Sequence, residues 1–359
     1  MALHVEHVTK SWSDFRLQDI DFTIDEGEYF GVLGPTGSGK TLLLKTIMGF
    51  YKPDQGRILL DDQDITDTPV AKRGLGYMPQ SYTLFPHLTV RQNIEFGPKM
   101  RGMERRQRSE RTAEILDLLD LVSLDRRMPH TLSGGEKQKV ALARVLVLQP
   151  KVVLLDEPLS TLDANTRETL QEELRTVHRA LQMTILHVTH DQMEAFSLTK
   201  SMAIMRQGRI IQAGNALNLL DNPQNEFIAR FLGYENIYDV EQVKSSNGWS
   251  EVNLEGVPIT LMQELGTGTH KVGIRPDTVM ASTTPTVPLS GVWNTLRGTV
   301  TDCTPLGSVV LITIDATFAI KSLILRRSFI DMHIRRGDTV WVSFHASSVK
   351  VLDECRESG

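Results

Sequence analysis

Residues 34–41 read Gly34-Pro35-Thr36-Gly37-Ser38-Gly39-Lys40-Thr41, and the segments on either side give this loop its meaning. Before it, Tyr29-Phe30-Gly31-Val32-Leu33 is an apolar run of the length of a buried strand. After it, Thr41 to Met48 reads as a helix. Strand, glycine loop and helix form the setting in which a GxxxxGK[ST] match marks a phosphate-binding loop. A triphosphate holds several negative charges close together, so its site needs many donors and little steric bulk. Glycines at 34, 37 and 39 let the backbone wrap with its N–H groups inward, and the next helix adds its positive end. Lys40 is placed to reach the β- and γ-phosphates, and Thr41 offers a hydroxyl to Mg²⁺.

Outward from the loop, Leu3 to Thr9 and Phe15 to Ile24 alternate as paired strands do. Ile58–Leu60, Leu75–Met78, Val152–Leu155 and Thr184–Val188 are further buried strands. Between them, Val90 to Leu148 is helical in pattern, with helices over 104–121 and 136–148, and reads as a helical subdomain (about 90–150) inserted into an α/β core. The core ends near Phe231-Leu232-Gly233. From Ile237 to Leu352, short strands rich in Val, Ile and Thr alternate with Gly and Pro, as in a small all-β barrel or sandwich. The expected division is 1–232 and 233–359, with Pro285 and Pro288 marking a linker between two lobes of the second part.

Composition narrows the function. With 39 Lys+Arg against 44 Asp+Glu the net charge is −5, so no global basic field argues for nucleic acid or anionic lipid. No apolar run approaches the roughly 20 residues of a membrane span, and Met1-Ala2-Leu3-His4-Val5-Glu6 does not read as a signal peptide. Cys303 and Cys355 are too few for a disulfide framework, which fits a reducing cytoplasm. Any contact with a membrane is expected to run through partners.

A second cluster lies far downstream. Val152-Val153-Leu154-Leu155-Asp156-Glu157 is an apolar strand ending in two carboxylates. Asp156 suits Mg²⁺, a hard cation that takes oxygen ligands, and leaves Glu157 to face an attacking water as general base. Upstream stands Leu132-Ser133-Gly134-Gly135-Glu136, where Ser133 is a good helix N-cap and Glu136 completes a capping box.

With these motifs the sequence resembles the ABC-type ATPases, over residues 1 to about 230. The resemblance implies that Ser133, Gly134 and Gly135 lie across a homodimer interface, where they contact the terminal phosphate of ATP held by the other subunit. It implies that Gln80 senses Mg²⁺ and the water while linking to membrane subunits. Ser160-Thr161-Leu162-Asp163 is similar to the D-loop, and His190 in Val188-Thr189-His190-Asp191 to the switch histidine. Taken singly, Gln80 reads as a surface residue and His190 as a strand-end histidine; their places relative to Asp156-Glu157 make them site residues. Trp12 matches the aromatic that stacks on adenine, with a core tryptophan as its rival reading. Three residues depart from the family pattern: Glu136 for the usual Gln, Leu42 for a second hydroxyl residue, and Thr161 for a common alanine. None removes a group the reaction requires.

The single cassette followed by a β-rich domain is similar to the ATPase subunits of bacterial and archaeal importers. These sit at the cytoplasmic face of the membrane on permease subunits fed by a solute-binding protein. Residues 81–90, with Phe85 and Leu88, resemble the stretch lining the groove for a permease coupling helix. The C-terminal segment resembles the TOBE-like β-domain of molybdate and tungstate importer ATPases, through 294–300, Leu306-Gly307, Arg326-Arg327-Ser328 and 346–349. Several anion-binding positions of that domain differ here: Gly291 and Trp293 replace Ser and Arg, Leu325 replaces Thr, and His345 replaces Lys. A tetrahedral dianion needs donors and fixed positive charge, so weak or absent oxyanion binding is expected. Molybdate or tungstate import leads; sulfate, iron, polyamine or sugar import stays open. So does a soluble ABC ATPase working on a nucleic-acid or protein complex.

Overall fold

The computed structural model describes residues 2–246, 248–266, 268–285 and 291–352. The alternating N-terminal stretches form β1 (Leu3–Ser11) and β2 (Arg16–Ile24), paired antiparallel from Leu3↔Ile24 to Ser11↔Arg16. Leu3, Val5, Val8, Leu17, Ile20 and Ile24 are fully buried, a period of two in a sheet with one wet face that is interrupted by register shifts on either side of Val8. β3 (Tyr29–Leu33) is buried throughout and leads through the glycine loop into α1 (Lys40–Met48). β4 (Gln55–Leu60) and β5 (Gln63–Asp64) then complete a four-stranded sheet in the order β2-β1-β4-β5.

After β6 (Leu75–Met78), three helices follow in the block expected to be helical: α2 (Val90–Met100), α3 (Arg105–Leu118) and α4 (Gly134–Leu146). Val90, Ile94, Ile115, Leu116, Val140 and Ala143 bring them into one apolar cluster. The chain returns through β7 (Val152–Asp156), α5 (Ala164–Leu181), β8 (Thr184–Thr189), α6 (Gln192–Leu198), β9 (Ser201–Arg206) and β10 (Arg209–Asn215). The second sheet has six strands in the order β10-β9-β3-β8-β7-β6. All neighbours in it are parallel except β9 and β10, two strands beyond those expected from sequence.

This order positions the site. β3, β8 and β7 lie side by side, with Leu33 opposite Thr189 and Asp156 opposite Val188. The residues that follow them, Gly34, His190 and Glu157, therefore emerge along one edge, at the carboxyl ends where open α/β sheets hold ligands.

The chain divides into two compact units, Met1–Leu219 and Leu220–Gly359. The division precedes the 232/233 boundary read from sequence because α8 (Glu226–Phe231), which follows α7 (Ala216–Asp221), is tied to later strands. Glu226 pairs with Lys271 at 3.2 Å, and the Tyr234 hydroxyl donates to the Leu220 carbonyl at 3.0 Å. The second unit has two five-stranded antiparallel sheets. One joins β11 (Asn236–Ser246), β12 (Trp249–Leu254), β13 (Val257–Leu261), β14 (Thr269–Ile274) and, from the end of the described chain, β20 (Lys350–Leu352). The other joins β15 (Met280–Ser282), β16 (Trp293–Leu306), β17 (Val309–Asp315), β18 (Ala319–Leu325) and β19 (Thr339–His345). A short helix, α9 (Arg326–Asp331), follows β18. One core runs through both sheets, from Val240 and Val252 to Ile312, Val342 and Phe344. The two-lobe expectation is corrected accordingly: β15 joins the second sheet before Pro285 and β20 returns to the first, while Pro288 lies outside the described residues. Cys303 is a free thiol, and Cys355 is likewise outside them.

Candidate functional site

The glycine loop holds its shape by close approach and by a left-handed cap. A Cβ on Gly34 would lie 2.2 Å from the Met205 carbonyl oxygen. Gly39 caps α1 at φ +104°, with the Phe15 ring 2.6 Å from where a Cβ would sit, so only glycine fits there. Ser38 is buried, and its hydroxyl has no hydrogen-bond partner among the described residues. The Lys40 ammonium is 4% exposed and donates to the carbonyls of Gly34 (2.9 Å) and Pro35 (3.1 Å). Burial lowers its pKa, opposed by the charges of Glu157 and Asp156.

A cleft of about 710 Å³ opens over this loop. Thr36, Gly37, Gly39, Lys40, Thr41 and Leu42 form its floor, and Gln80, Glu157 and His190 reach it from three other loops. Glu157 is the meeting point. Its Oε2 accepts from Gln80 Nε2 at 3.2 Å and lies 3.2 Å from His190 Nδ1, while Oε1 is 3.8 Å from Lys40 Nζ. The residue sits at φ +45°, a left-handed conformation costing on the order of 1–2 kcal/mol for a non-glycine residue. That turn at the end of β7 separates two adjacent carboxylates. Asp156 stays under the sheet edge, where its Oδ1 accepts from the Thr41 hydroxyl (2.8 Å) and its Oδ2 from the Tyr77 hydroxyl (2.9 Å). Burial raises the Asp156 pKa, and these two hydrogen bonds oppose the shift. Hydroxyl, carboxylate and the nearby Gln80 amide make a hard-oxygen donor set that fits Mg²⁺.

Other expected residues lie apart from this cleft. Ser133, Gly134 and Gly135 begin α4, and Asp163 caps α5 by accepting from the Thr166 N–H at 3.1 Å. The two helix starts are neighbours, since a Cβ on Gly135 would meet the Thr166 methyl at 3.0 Å. The capping box at Ser133 is complete: its N–H donates to Glu136 Oε2 (2.6 Å), and the Glu136 N–H donates to Ser133 Oγ (3.3 Å). The departure at 136 thus turns back onto its own helix. The Ser133 N–H holds the Glu136 carboxyl below its ordinary pKa. Trp12 packs edge-on against Tyr51 at 5.3 Å and lies 6.5 Å from Phe15; it is Phe15 that lines the phosphate-loop cleft.

Several contacts of this region had no sequence signal. Tyr82 donates to the Pro158 carbonyl (3.1 Å) and pairs with the Thr161 hydroxyl (2.6 Å), so Thr161 is anchored where alanine is common. Arg167 donates to the Leu162 carbonyl (3.0 Å) and pairs with Asp191 (3.3 Å), tying the loop after Glu157 to the loop of His190. Beneath His190, the Tyr29 hydroxyl lies 2.8 Å from His187 Nδ1, and His187 Nε2 lies 2.8 Å from Glu194 Oε1, all buried. Burial pushes the Glu194 carboxyl up, but the His187 ring and the Thr189 hydroxyl outweigh it and hold the pKa below the ordinary value.

A groove of about 390 Å³ runs beside the cleft, walled by Met48, Val70, Tyr77, Tyr82, Phe96 and Arg144 among others. Of residues 81–90, Tyr82 and Thr83 line it. Phe85 instead packs against Phe96 (4.4 Å) beneath the Arg144 guanidinium (4.6 Å), and the Leu88 carbonyl accepts from Asn93. Among the described residues, no helix is long and apolar enough to cross a membrane.

Residues 17–160 match the model of the ABC transporter family, and residues 272–352 match that of the TOBE domain. Across almost its entire length the chain is similar to a curated relative, the molybdate/tungstate import ATP-binding protein WtpC of Pyrococcus abyssi. They are 41% identical over 98% of this chain and 100% of that protein. The chain belongs to the ABC transporter family. Other relatives of this family include the spermidine/putrescine import ATP-binding protein PotA of Protochlamydia amoebophila, at 34% identity over 98% of this chain and 96% of that one. An Fe(3+) ions import ATP-binding protein of Haemophilus influenzae is 39% identical over 77% and 84%. Among solved structures, cbiO1 of Clostridium perfringens, part of the ABC transporter complex cbiONQ, superposes with a TM-score of 0.56 at 30% identity, over 61% of this chain and 90% of that one. The ATP-binding cassette MJ0796, a dimer bound to ADP and Pi in a post-hydrolysis state, gives 0.53 at 28%, over 60% and 98%. These matches bear out the fold expected from sequence: an ABC-type α/β core with inserted helices and a C-terminal all-β TOBE domain.

In the second unit, three of the positions expected to depart from oxyanion binding, Gly291, Trp293 and His345, come together. Trp293 faces His345 across β16 and β19, edge-on at 5.3 Å. His345 Nδ1 accepts the Ser347 N–H at 3.1 Å, and a Cβ on Gly291 would lie 2.5 Å from its Nε2. Leu325 is exposed. A packed Trp-His pair stands where the resemblance would put an arginine and a lysine.

Proposed function

We propose that this chain is the ATP-hydrolysing subunit of a molybdate/tungstate importer and that it works as a homodimer on a separate permease. The convergence of Lys40, Gln80, Glu157 and His190 on one phosphate-loop cleft carries the ATPase reading. Full-length similarity to molybdate/tungstate import proteins, at 40–41% identity, carries the choice of solute.

In this reading the loop from Gly34 to Thr41 and the Lys40 ammonium bind the phosphates of ATP, and Trp12 and Phe15 flank the base. Thr41, Asp156 and Gln80 would hold Mg²⁺, which supplies positive charge against the phosphate oxygens. Glu157 takes a proton from the attacking water as its oxygen bonds the terminal phosphorus and the bond from that phosphorus to the ADP oxygen breaks. His190, held by Nδ1 against that carboxylate, turns its other nitrogen toward the terminal phosphate. The cleft is completed by Ser133, Gly134 and Gly135 of the partner subunit, with Asp163 shaping the loop between them. In support, Ser133 and Gly134 are exposed at the start of a helix that lies apart from the chain's own cleft. The groove walled by Tyr82 and Phe96 seats a permease segment, which holds the chain peripherally at the cytoplasmic face of the membrane. A solute-binding protein acts through that permease.

Import of iron or a polyamine is the second reading, favoured by relatives at 34–42% identity that carry those names, the 42% match covering 77% of this chain. The deciding experiment is reconstitution with the permease. Binding protein loaded with molybdate or tungstate is expected to stimulate ATP turnover, and stimulation only by iron or spermidine would replace the first reading with the second.

A further inference from the structure

Tyr77, near the end of β6, is half-buried and forms a wall between two cavities. On one side it lines a cleft with Thr41, Lys45, Gln80 and Asp156; on the other it lines the groove with Met48, Ala71 and Phe96. Its hydroxyl donates to Asp156 Oδ2 at 2.9 Å, while Thr41 takes Oδ1 at 2.8 Å, so each oxygen of this carboxylate is held by a different hydroxyl. The ring edge meets Phe50, a half-exposed aromatic, at 6.0 Å. A tyrosine ring is rigid from Cβ to hydroxyl. Displacing its groove face therefore displaces the donor that orients the carboxylate. Phenylalanine or methionine would fill the same wall without that donor.

We propose that Tyr77 is a positioning residue through which a segment seated in the groove sets the Asp156 carboxylate for its divalent cation. This rests on the reading that Asp156 holds the metal and that the groove seats a permease segment. It adds a specific side chain joining the two.

The test titrates Mn²⁺, visible by electron paramagnetic resonance, into the full chain saturated with a non-hydrolysable ATP analogue. Tyr77→Phe removes the hydroxyl and keeps the ring. It is expected to raise the Mn²⁺ dissociation constant about tenfold to a hundredfold, the effect of one hydrogen bond to a charged group, with affinity for the analogue in EDTA unchanged. Ala71→Trp puts a bulky side chain on the exposed groove wall in place of a seated segment. It is expected to shift Mn²⁺ affinity in the parental background and to lose that effect in Tyr77→Phe, the non-additivity of two coupled residues. Asp156→Asn separates the two layers of the argument. Parental Mn²⁺ affinity in Asp156→Asn would mean that the metal site lies elsewhere, and both readings would fall. Weakened binding in Asp156→Asn beside parental binding in Tyr77→Phe overturns the positioning role alone. So does an Ala71→Trp effect that is equal, or absent, in both backgrounds.

Discussion

At the scale of single residues, the account turns on how one strand end separates two neighbouring carboxylates. Asp156 is buried under two hydroxyl donors, and Glu157, at positive φ, swings out to Gln80 and His190. Glu157→Gln keeps the hydrogen-bonding shape and removes the base. Single-turnover hydrolysis is expected to slow about 10²–10⁴-fold with ATP affinity retained; parental turnover would refute the assignment. Glu136 carries a pH signature. The Ser133 N–H holds its folded pKa below the unfolded value. Its stabilisation is therefore full above the ordinary carboxylate range and disappears as pH falls through the depressed value. Glu136→Gln is expected to cost no more than about 1 kcal/mol at neutral pH, and nothing at the acid end of a urea-unfolding series. A cost that stays constant with pH would contradict the capping role. The motif residues were legible from sequence because phosphate and Mg²⁺ chemistry restricts which residue types serve. Tyr77, Phe15 and Arg167 were not legible: hydrogen bonds and ring contacts across distant segments leave no local spacing to read.

At the scale of elements, period and capping carried most of the fold. The alternation of β1 and β2, the all-apolar runs of β3 and β7, and the capping box of α4 formed where the residues indicate. β9 and β10 escaped because Ser201–Arg206 and Arg209–Asn215 are mixed in polarity, and they gain their place by pairing against β3 and each other. The second unit shows the limit of reading linkers from proline. Its core is shared by two sheets, so the prolines at 285 and 288 do not mark a boundary between lobes. Its chemistry was more legible than its topology, since Trp293 and His345 meet across paired strands. Calorimetric titration of the full chain with micromolar molybdate or tungstate is expected to give no heat of binding at this unit. A saturable signal lost in His345→Ala would show that the Trp-His pair accommodates the anion after all.

At the scale of the whole molecule, the first unit places the glycine loop, Glu157 and His190 in one cleft, while the helix start at Ser133 lies elsewhere on the same unit. In the function proposed above, a lone chain holds the two halves of the site apart and a second copy brings them together. The adjoining starts of α4 and α5 support this, because they present Ser133 and Asp163 as neighbouring parts of one surface. The most direct measurement is the mass of Glu157→Gln in solution, by light scattering with and without MgATP. The account predicts a shift from one chain to two when MgATP is added, abolished by Ser133→Arg. A protein that binds MgATP and stays a single chain, or a dimer indifferent to Ser133→Arg, would contradict it.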